Sequence, residues 1–503
     1  MEIKTLKDLI VIGGGINGVG IAADAAGRGL SVLLLEAHDL ACATSSASSK
    51  LIHGGLRYLE HYEFKLVSEA LSEREIILKS APHIVFPLRF RLPHCSHLRP
   101  AWMIRMGLFI YDHLRKNISL PKSKSIRFCA NSSVLEAYIS RGFEYSDCWV
   151  DDARLVVSNA QEVIRHGSEV HTRLRVIGAK RENNLWHVTA KDIDSGKIVI
   201  WRSKGLVNAA GPWVNKVLEE VVKHPSKYRL RLIKGSHIVV PRIHAEPYAY
   251  ILQNTDHRII FVIPWMEDFS IIGTTDIEYK DNPKNPIISE EEISYLIEVC
   301  NHYFKKKIYK QDIIWSYSGV RPLYDDKSHT PQYITRNYVL DLNEFHGHTP
   351  LISIFGGKIT SYRKLAEQAL NMLAKFFPHT GSAWTKNNIL PGGHLERTRG
   401  HYAHYLYERY GFLGQSLAKR YAYTYGSNSE LILKDISRIS DLGENFGHDF
   451  YEAELHYLVK NEWVYTIEDA IWRRTKLGIW LTQLQQKRIV EWLNFNVPKR
   501  SIL

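Results

Sequence analysis

Long apolar runs are missing from this chain: nowhere do about eighteen uncharged hydrophobic residues follow one another, so no membrane-spanning helix is expected. Cysteine is scarce as well. Cys42, Cys95, Cys129, Cys148 and Cys300 form an odd, scattered set without a CxxC pair, which argues against a disulfide framework and against structural zinc. Free reduced thiols and no metal are the expectation. Low-complexity tracts are absent, and 45% hydrophobic against 23% charged residues leaves little room for extensive disorder. Met1-Glu2-Ile3-Lys4 leads almost directly into an apolar strand, which excludes a signal peptide and predicts a chain on the cytoplasmic side.

What is present is size and positive charge. A chain of 503 residues corresponds to two or three domains at about 150 residues each, enough to bury a large cofactor between them. Lys and Arg number 65 against 53 Asp and Glu, a net charge of +12. Such a surplus suits nucleic acid, an anionic membrane surface or phosphorylated substrates. No RNA-binding motif is visible and the charge is dispersed, so nucleic acid is not expected as a partner.

Leu9-Ile10-Val11-Ile12 reads as a strand buried on both faces of a parallel sheet. Gly13, Gly15 and Gly18 follow on GxGxxG spacing within Gly13-Gly14-Gly15-Ile16-Asn17-Gly18, and the Ala-rich stretch from about Asn17 to Arg28 predicts a helix stopped by Gly29. A second strand, Ser31 to Leu35, ends at Glu36. Glycine permits the tight turn and close approach of a pyrophosphate, while the helix N-terminus offers unpaired amides and positive potential. Glu36, 18 residues beyond Gly18, is placed to accept ribose hydroxyls and to repel a 2'-phosphate. Together these predict a Rossmann-like dinucleotide site without NADP. No crossover helix follows. Instead the chain runs through Ala43-Thr44-Ser45-Ser46-Ala47-Ser48-Ser49-Lys50-Leu51, either a hydroxyl-rich cradle for a pyrophosphate and flavin edge or a solvated loop. On the first reading Thr44, Ser45, Ser49, Lys50 and Leu51 contact the cofactor.

Two later stretches have the same character. Leu206-Val207-Asn208-Ala209-Ala210-Gly211 is a strand entering small residues, either for close passage past a flat cofactor or as a plain turn. Leu351 to Phe355 is a further apolar strand, followed by Gly356-Gly357-Lys358 and a helix from about Thr360. A phosphate-binding P-loop is rejected, because the first required glycine falls on Ile352 and the required Ser/Thr on Ile359. The alternatives are a surface lysine after a turn, or a helix N-terminus whose dipole and Lys358 stabilise negative charge on a reduced flavin. The second reading makes Gly356, Gly357, Lys358, Ile359 and Thr360 cofactor contacts.

The segments Ile12 to Gly29 and Gly356 to Ala366 resemble the two signature motifs of the FAD-dependent glycerol-3-phosphate dehydrogenases, the bacterial aerobic respiratory type in particular. Ser49 to Glu60, Gly142 to Asp147 and Trp472-Arg473-Arg474-Thr475 are similar to the same family, so the resemblance spans almost the whole chain. It implies FAD as cofactor and oxidation of sn-glycerol 3-phosphate to dihydroxyacetone phosphate, with hydride passing to flavin N5 and electrons to membrane quinone. An oxidase that releases hydrogen peroxide is the alternative.

For such a substrate the stretch Ile259 to Pro264, a turn at Glu267-Asp268 and Phe269 to Thr274 read as antiparallel strands of a substrate-binding sheet. A phosphate dianion calls for arginine, whose forked guanidinium stays charged. Arg57, beside Tyr58, and Arg321 are the candidates, with Thr274 as a further substrate contact. The carbinol hydroxyl must lose a proton, and His237 is the first choice of base or relay, His53 the second. Arg321 and Lys358 complete the catalytic set.

From His97 to Phe128 basic and apolar residues alternate, with Arg99, Arg105, Arg115, Lys116, Lys122, Lys124 and Arg127 among Trp102, Met103, Ile104, Met106, Leu108, Phe109, Ile110 and Tyr111. Either this segment lies in the interface of an anionic bilayer, on the inner face of the cell membrane, or it is an amphipathic helix packed on the core. The expected architecture is α/β: an FAD-binding domain (about 1–80, 140–225 and 330–385) interleaved with substrate- and membrane-facing segments (about 81–139 and 226–330), then a helical domain over 391–503. A homodimer is left open.

Overall fold

A computed structural model describes residues 2–95, 98–115, 119–256, 258–325 and 337–497. His97 and Lys116 of the basic apolar stretch lie outside these residues. Five parallel strands form the spine of the first sheet, in spatial order His348–Gly356, Ile198–Asn208, Glu2–Ile12, Val32–Leu35 and Glu169–His171. The alternation of a strand's side chains sorts them cleanly. Leu9, Val11, Val32 and Leu34 share one core with residues of the helices Ile16–Gly27, Asp152–Arg165 and Tyr362–Leu373. Ile10, Ile12, Leu33 and Leu35 share another with the antiparallel hairpin Leu174–Glu182 and Leu185–Asp192. Both faces are therefore covered, as the uninterrupted apolar runs require.

The second sheet is mixed. Leu230–Pro241 pairs antiparallel with Phe269–Gly273 and Trp315–Tyr324, and the order continues through Ile259–Trp265, Ala249–Gln253, Val85–Pro93 and Arg141–Val150 to Leu51–Ile52. The one parallel step is Ala249–Gln253 against Val85–Pro93; the other pairings are antiparallel, as expected for the substrate-binding sheet. Leu51–Ile52 and Arg141–Val150, expected within the cofactor-binding segments, pair in this second sheet. The chain thus crosses from one sheet to the other directly after the serine-rich turn, which leaves that turn between them.

Residues 399–496 are mainly helical, with Arg399–Arg409, Gly414–Tyr425, Glu452–Glu462 and Gln483–Asn496 around a core of their own that includes Tyr421, Tyr425, Phe450 and Leu458. No helix among the described residues is long and apolar enough to cross a membrane.

Candidate active site

The glycine-rich turn is built by close approach. Gly13 sits at φ +112°, and a Cβ there would lie 2.5 Å from the carbonyl oxygen of Ala209, so the ends of two adjacent strands nearly touch. A Cβ on Gly18 would lie 1.9 Å from the Gly13 oxygen, which ties the first helical turn to the loop before it. The Gly14 amide donates to Glu36 Oε2 at 2.6 Å and the His38 amide to Oε1 at 2.8 Å. Burial pushes the Glu36 carboxyl above its ordinary range against the pull of those amides. Ser45 Oγ accepts from the Ile16 amide at 3.0 Å, so the serine-rich turn caps this helix start. Asn17 Nδ2 donates to the Gly356 oxygen at 3.1 Å and joins the two glycine motifs across 339 residues. Gly357, at φ +99°, packs so tightly that a Cβ would lie 2.9 Å from the same amide nitrogen.

These parts open onto one cavity of about 2010 Å³ between the two sheets, well above the roughly 300–1,000 Å³ of an ordinary small-ligand pocket. Gly13, Gly14, Gly15, Asn17, Glu36, Thr44, Ser45, Ser49, Leu51, Ala210, Gly211 and Gly356 to Thr360 line it. Thr44 Oγ1 is also bonded to the Val320 oxygen at 2.6 Å. Two expected cofactor contacts stand off the wall. Gly18 serves packing beneath the turn. Lys50 points away: its buried Nζ donates to Asp152 Oδ1 at 2.7 Å and to the Ser46 oxygen at 3.2 Å, because an ammonium removed from water needs a carboxylate.

On the substrate side Arg57, Tyr58, Thr274, Arg321 and Lys358 share the cavity wall. Arg321 donates through Nη1 to Asp276 Oδ1 and through Nη2 to Thr274 Oγ1, each at 2.8 Å. Lys358 Nζ lies 4.0 Å above the centre of the Tyr58 ring, a cation–π contact. His53 lines the cavity, whereas His237 is set back from it. The His237 ring is buried, stacks on Tyr317 at 4.7 Å, and shares a 3.0 Å hydrogen bond between Nε2 and Ser49 Oγ. Burial above all, then the charges of Arg321 and Lys50, holds its pKa well below the usual value. It is neutral, and its hydrogen bond to the Ser49 hydroxyl links it to the cavity wall.

Two parts of the wall are not among the site residues expected from the sequence. Thr466, Glu468, Asp469 and Arg473 of the C-terminal domain line one region of it, beside Glu36 and His38. Elsewhere, Met103, Ile104, Met106, Gly107 and Ile110 of the helix Ala101–His113 form another stretch of wall. The outer side of that helix exposes Trp102 and Phe109, so the basic apolar stretch is not wholly packed on the core.

Residues 8–363 match the family described as FAD dependent oxidoreductase, and residues 383–493 the C-terminal domain of alpha-glycerophosphate oxidase. The chain is 65% identical over 97% of both chains to the aerobic glycerol-3-phosphate dehydrogenase of Escherichia coli strain K12. It is 47% identical, again over 97% of both, to the D-erythritol 1-phosphate dehydrogenase of Brucella abortus strain 2308. Among solved structures, the glycerol-3-phosphate dehydrogenase of Bacillus halodurans complexed with FAD superimposes with a TM-score of 0.74 at 27% identity, covering 98% of this chain and 94% of that one.

The residues present fit FAD. The glycine turn would be filled by any Cβ, Glu36 lines the cavity beside that turn, and the buried Asn17 Oδ1 has no hydrogen-bond partner among the described residues. With motifs, mixed α/β sheets and helical C-terminal domain all in accord, the chain belongs to the FAD-dependent glycerol-3-phosphate dehydrogenase family.

Proposed function

We propose that this protein oxidises sn-glycerol 3-phosphate to dihydroxyacetone phosphate and passes the electrons to a membrane quinone. The observation that carries the substrate reading is the set of three cations, Arg57, Arg321 and Lys358, on the wall of the same cavity as both glycine motifs. Arg321 is held rigidly by Thr274 and Asp276, and a fixed guanidinium fork matches the oxygens of a phosphate. Bound FAD supplies the two-electron acceptor for the carbinol hydride. The chain's own task is then to hold the phosphate and to take the hydroxyl proton. His53 on the wall is the direct candidate for that proton, and Ser49 backed by neutral His237 is the relay candidate.

The quinone and membrane reading is supported by the helix Ala101–His113. One part of it lines the cavity while Trp102 and Phe109, 65% and 54% exposed, face outward among the exposed Arg99, Arg115, Lys122, Lys124 and Arg127. An amphipathic, basic helix of this kind suits the surface of an anionic bilayer, here the inner face of the cell membrane. The match of residues 383–493 to an oxidase's C-terminal domain favours oxygen as a second acceptor to test. Turnover with glycerol 3-phosphate, measured side by side as quinone reduction and as peroxide release, decides. Quinone reduction far in excess of peroxide is expected; the reverse would make the enzyme an oxidase, and turnover by D-erythritol 1-phosphate alone would replace the substrate.

A further inference from the structure

The C-terminal motif Trp472-Arg473-Arg474-Thr475 takes no part in the chemistry above, yet its arginines converge on the cofactor turn. Asp39 lies three residues beyond Glu36. Its buried carboxylate accepts from Arg474 Nη1 at Oδ2 and from Nη2 at Oδ1, both at 2.8 Å, and from Arg473 Nε at Oδ2, 2.5 Å away. Arg474 is fully buried and also donates to the Glu462 carbonyl through Nε and Nη2, at 3.1 and 2.6 Å. Arg473 is bonded to Asp469, whose Oδ2 accepts the amides of Tyr465 and Thr466 at 3.0 and 2.8 Å. The stretch 465–474 is therefore strapped to Asp39 as one unit.

On the other side of Asp39 the strap reaches the glycine turn. The Ala41 amide donates to the Gly14 oxygen at 3.1 Å, and the Gly14 amide in turn donates to Glu36. Arg473 and Asp469 share the cavity wall with Glu36. Simple docking of two domains would not require two guanidinium groups on the loop that carries the ribose acceptor. The buried charges of Asp39, Asp469 and Arg474 are tolerated because they are paired with one another or with the partly buried Arg473, and removal of one strands the others.

We propose that the C-terminal domain is a clamp on the ADP end of FAD, with Asp39, Arg473 and Arg474 as its catch and Arg473 as a cofactor-positioning residue. The inference rests on FAD as the cofactor and stands apart from the substrate reading. Because coupling is reciprocal, FAD tightens the clamp as much as the clamp tightens FAD.

The test uses full-length protein stripped of flavin and titrated with FAD, followed by flavin fluorescence, in wild type, Asp39→Asn, Arg473→Gln and Lys419→Met. The last removes the exposed pair Lys419–Glu267, which joins the same C-terminal domain to the second sheet away from the turn. Asp39→Asn and Arg473→Gln should bind FAD about tenfold more weakly or worse, Lys419→Met within about twofold of wild type. FAD should also slow amide hydrogen exchange over 464–476 in the wild type and not in Arg473→Gln. If Asp39→Asn does not fold, Arg473→Gln decides. Wild-type FAD affinity in Arg473→Gln, equal weakening by Lys419→Met, or exchange over 464–476 that ignores FAD would each overturn the proposal.

Discussion

Replacing Arg321 by methionine removes the anion fork while keeping an unbranched apolar stem like that of arginine. Two of the five guanidinium donors go to Asp276 and Thr274 at 2.8 Å, which orients the group and leaves its other donors for a phosphate. A hydrogen bond to a charged group contributes about 1.5–3 kcal/mol, so the loss of two to the substrate costs roughly 3–6 kcal/mol. At about 1.4 kcal/mol per factor of ten, kcat/KM for glycerol 3-phosphate should fall by about 10²- to 10⁴-fold. The upper end is expected, because the substitution also leaves the Asp276 carboxylate facing an anionic substrate. Arg321→Lys keeps the charge but loses the planar fork, and should fall by about tenfold to a hundredfold. Neither residue touches the glycine turn, so flavin content should be that of the wild type in both. The assay is steady-state reduction of a quinone analogue with flavin content determined on the same samples. A value of kcat/KM in Arg321→Met within about threefold of wild type, with flavin retained, would refute the assignment of this arginine to the phosphate.

Other consequences can be measured separately. Gly18→Ala places a Cβ 1.9 Å from the Gly13 oxygen and should yield folded protein without flavin, read from the visible spectrum of the purified chain; full flavin occupancy would show that the turn yields. Burial holds His237 well below its usual pKa, His83 down to about 3 and His244 to about 4. Below pH about 6.5 the unfolded chain binds protons that these three sites refuse, so stability falls with pH by about 1.4 kcal/mol per unit for each. Between pH 7 and 5.5 they cost together about 4 kcal/mol, measurable by urea unfolding, and His237→Asn should remove about a third of that loss. Trp102→Ser with Phe109→Ser should weaken binding to anionic vesicles about tenfold or more, and added salt should weaken the wild type as well; cosedimentation equal to wild type would remove this helix from the membrane contact.

The turn, its flanking strands and Glu36 were legible because each is specified locally, by glycine at positions with no room for a side chain and by apolar runs buried on both faces. The second glycine motif was equally local, although nothing in its own residues told that Asn17 would bond to Gly356. His237 was less legible. Leu230–Pro241 is buried on both sides from Ile233 to Val240, so alternation does not tell which residues see the cavity and which, like His237, sit behind Ser49. Lys50 has the composition of a cofactor contact, and only its partner Asp152, 102 residues away, turns it inward. The clamp was the least legible of all, since Asp39 and Arg474 are 435 residues apart and each alone reads as an ordinary surface charge.

The most direct test of the central claim is anaerobic. Glycerol 3-phosphate added to the purified yellow protein, with oxygen and quinone excluded, should bleach the visible flavin band to completion. An unchanged band, above all one that D-erythritol 1-phosphate does bleach, would contradict the substrate assignment and leave only the FAD fold.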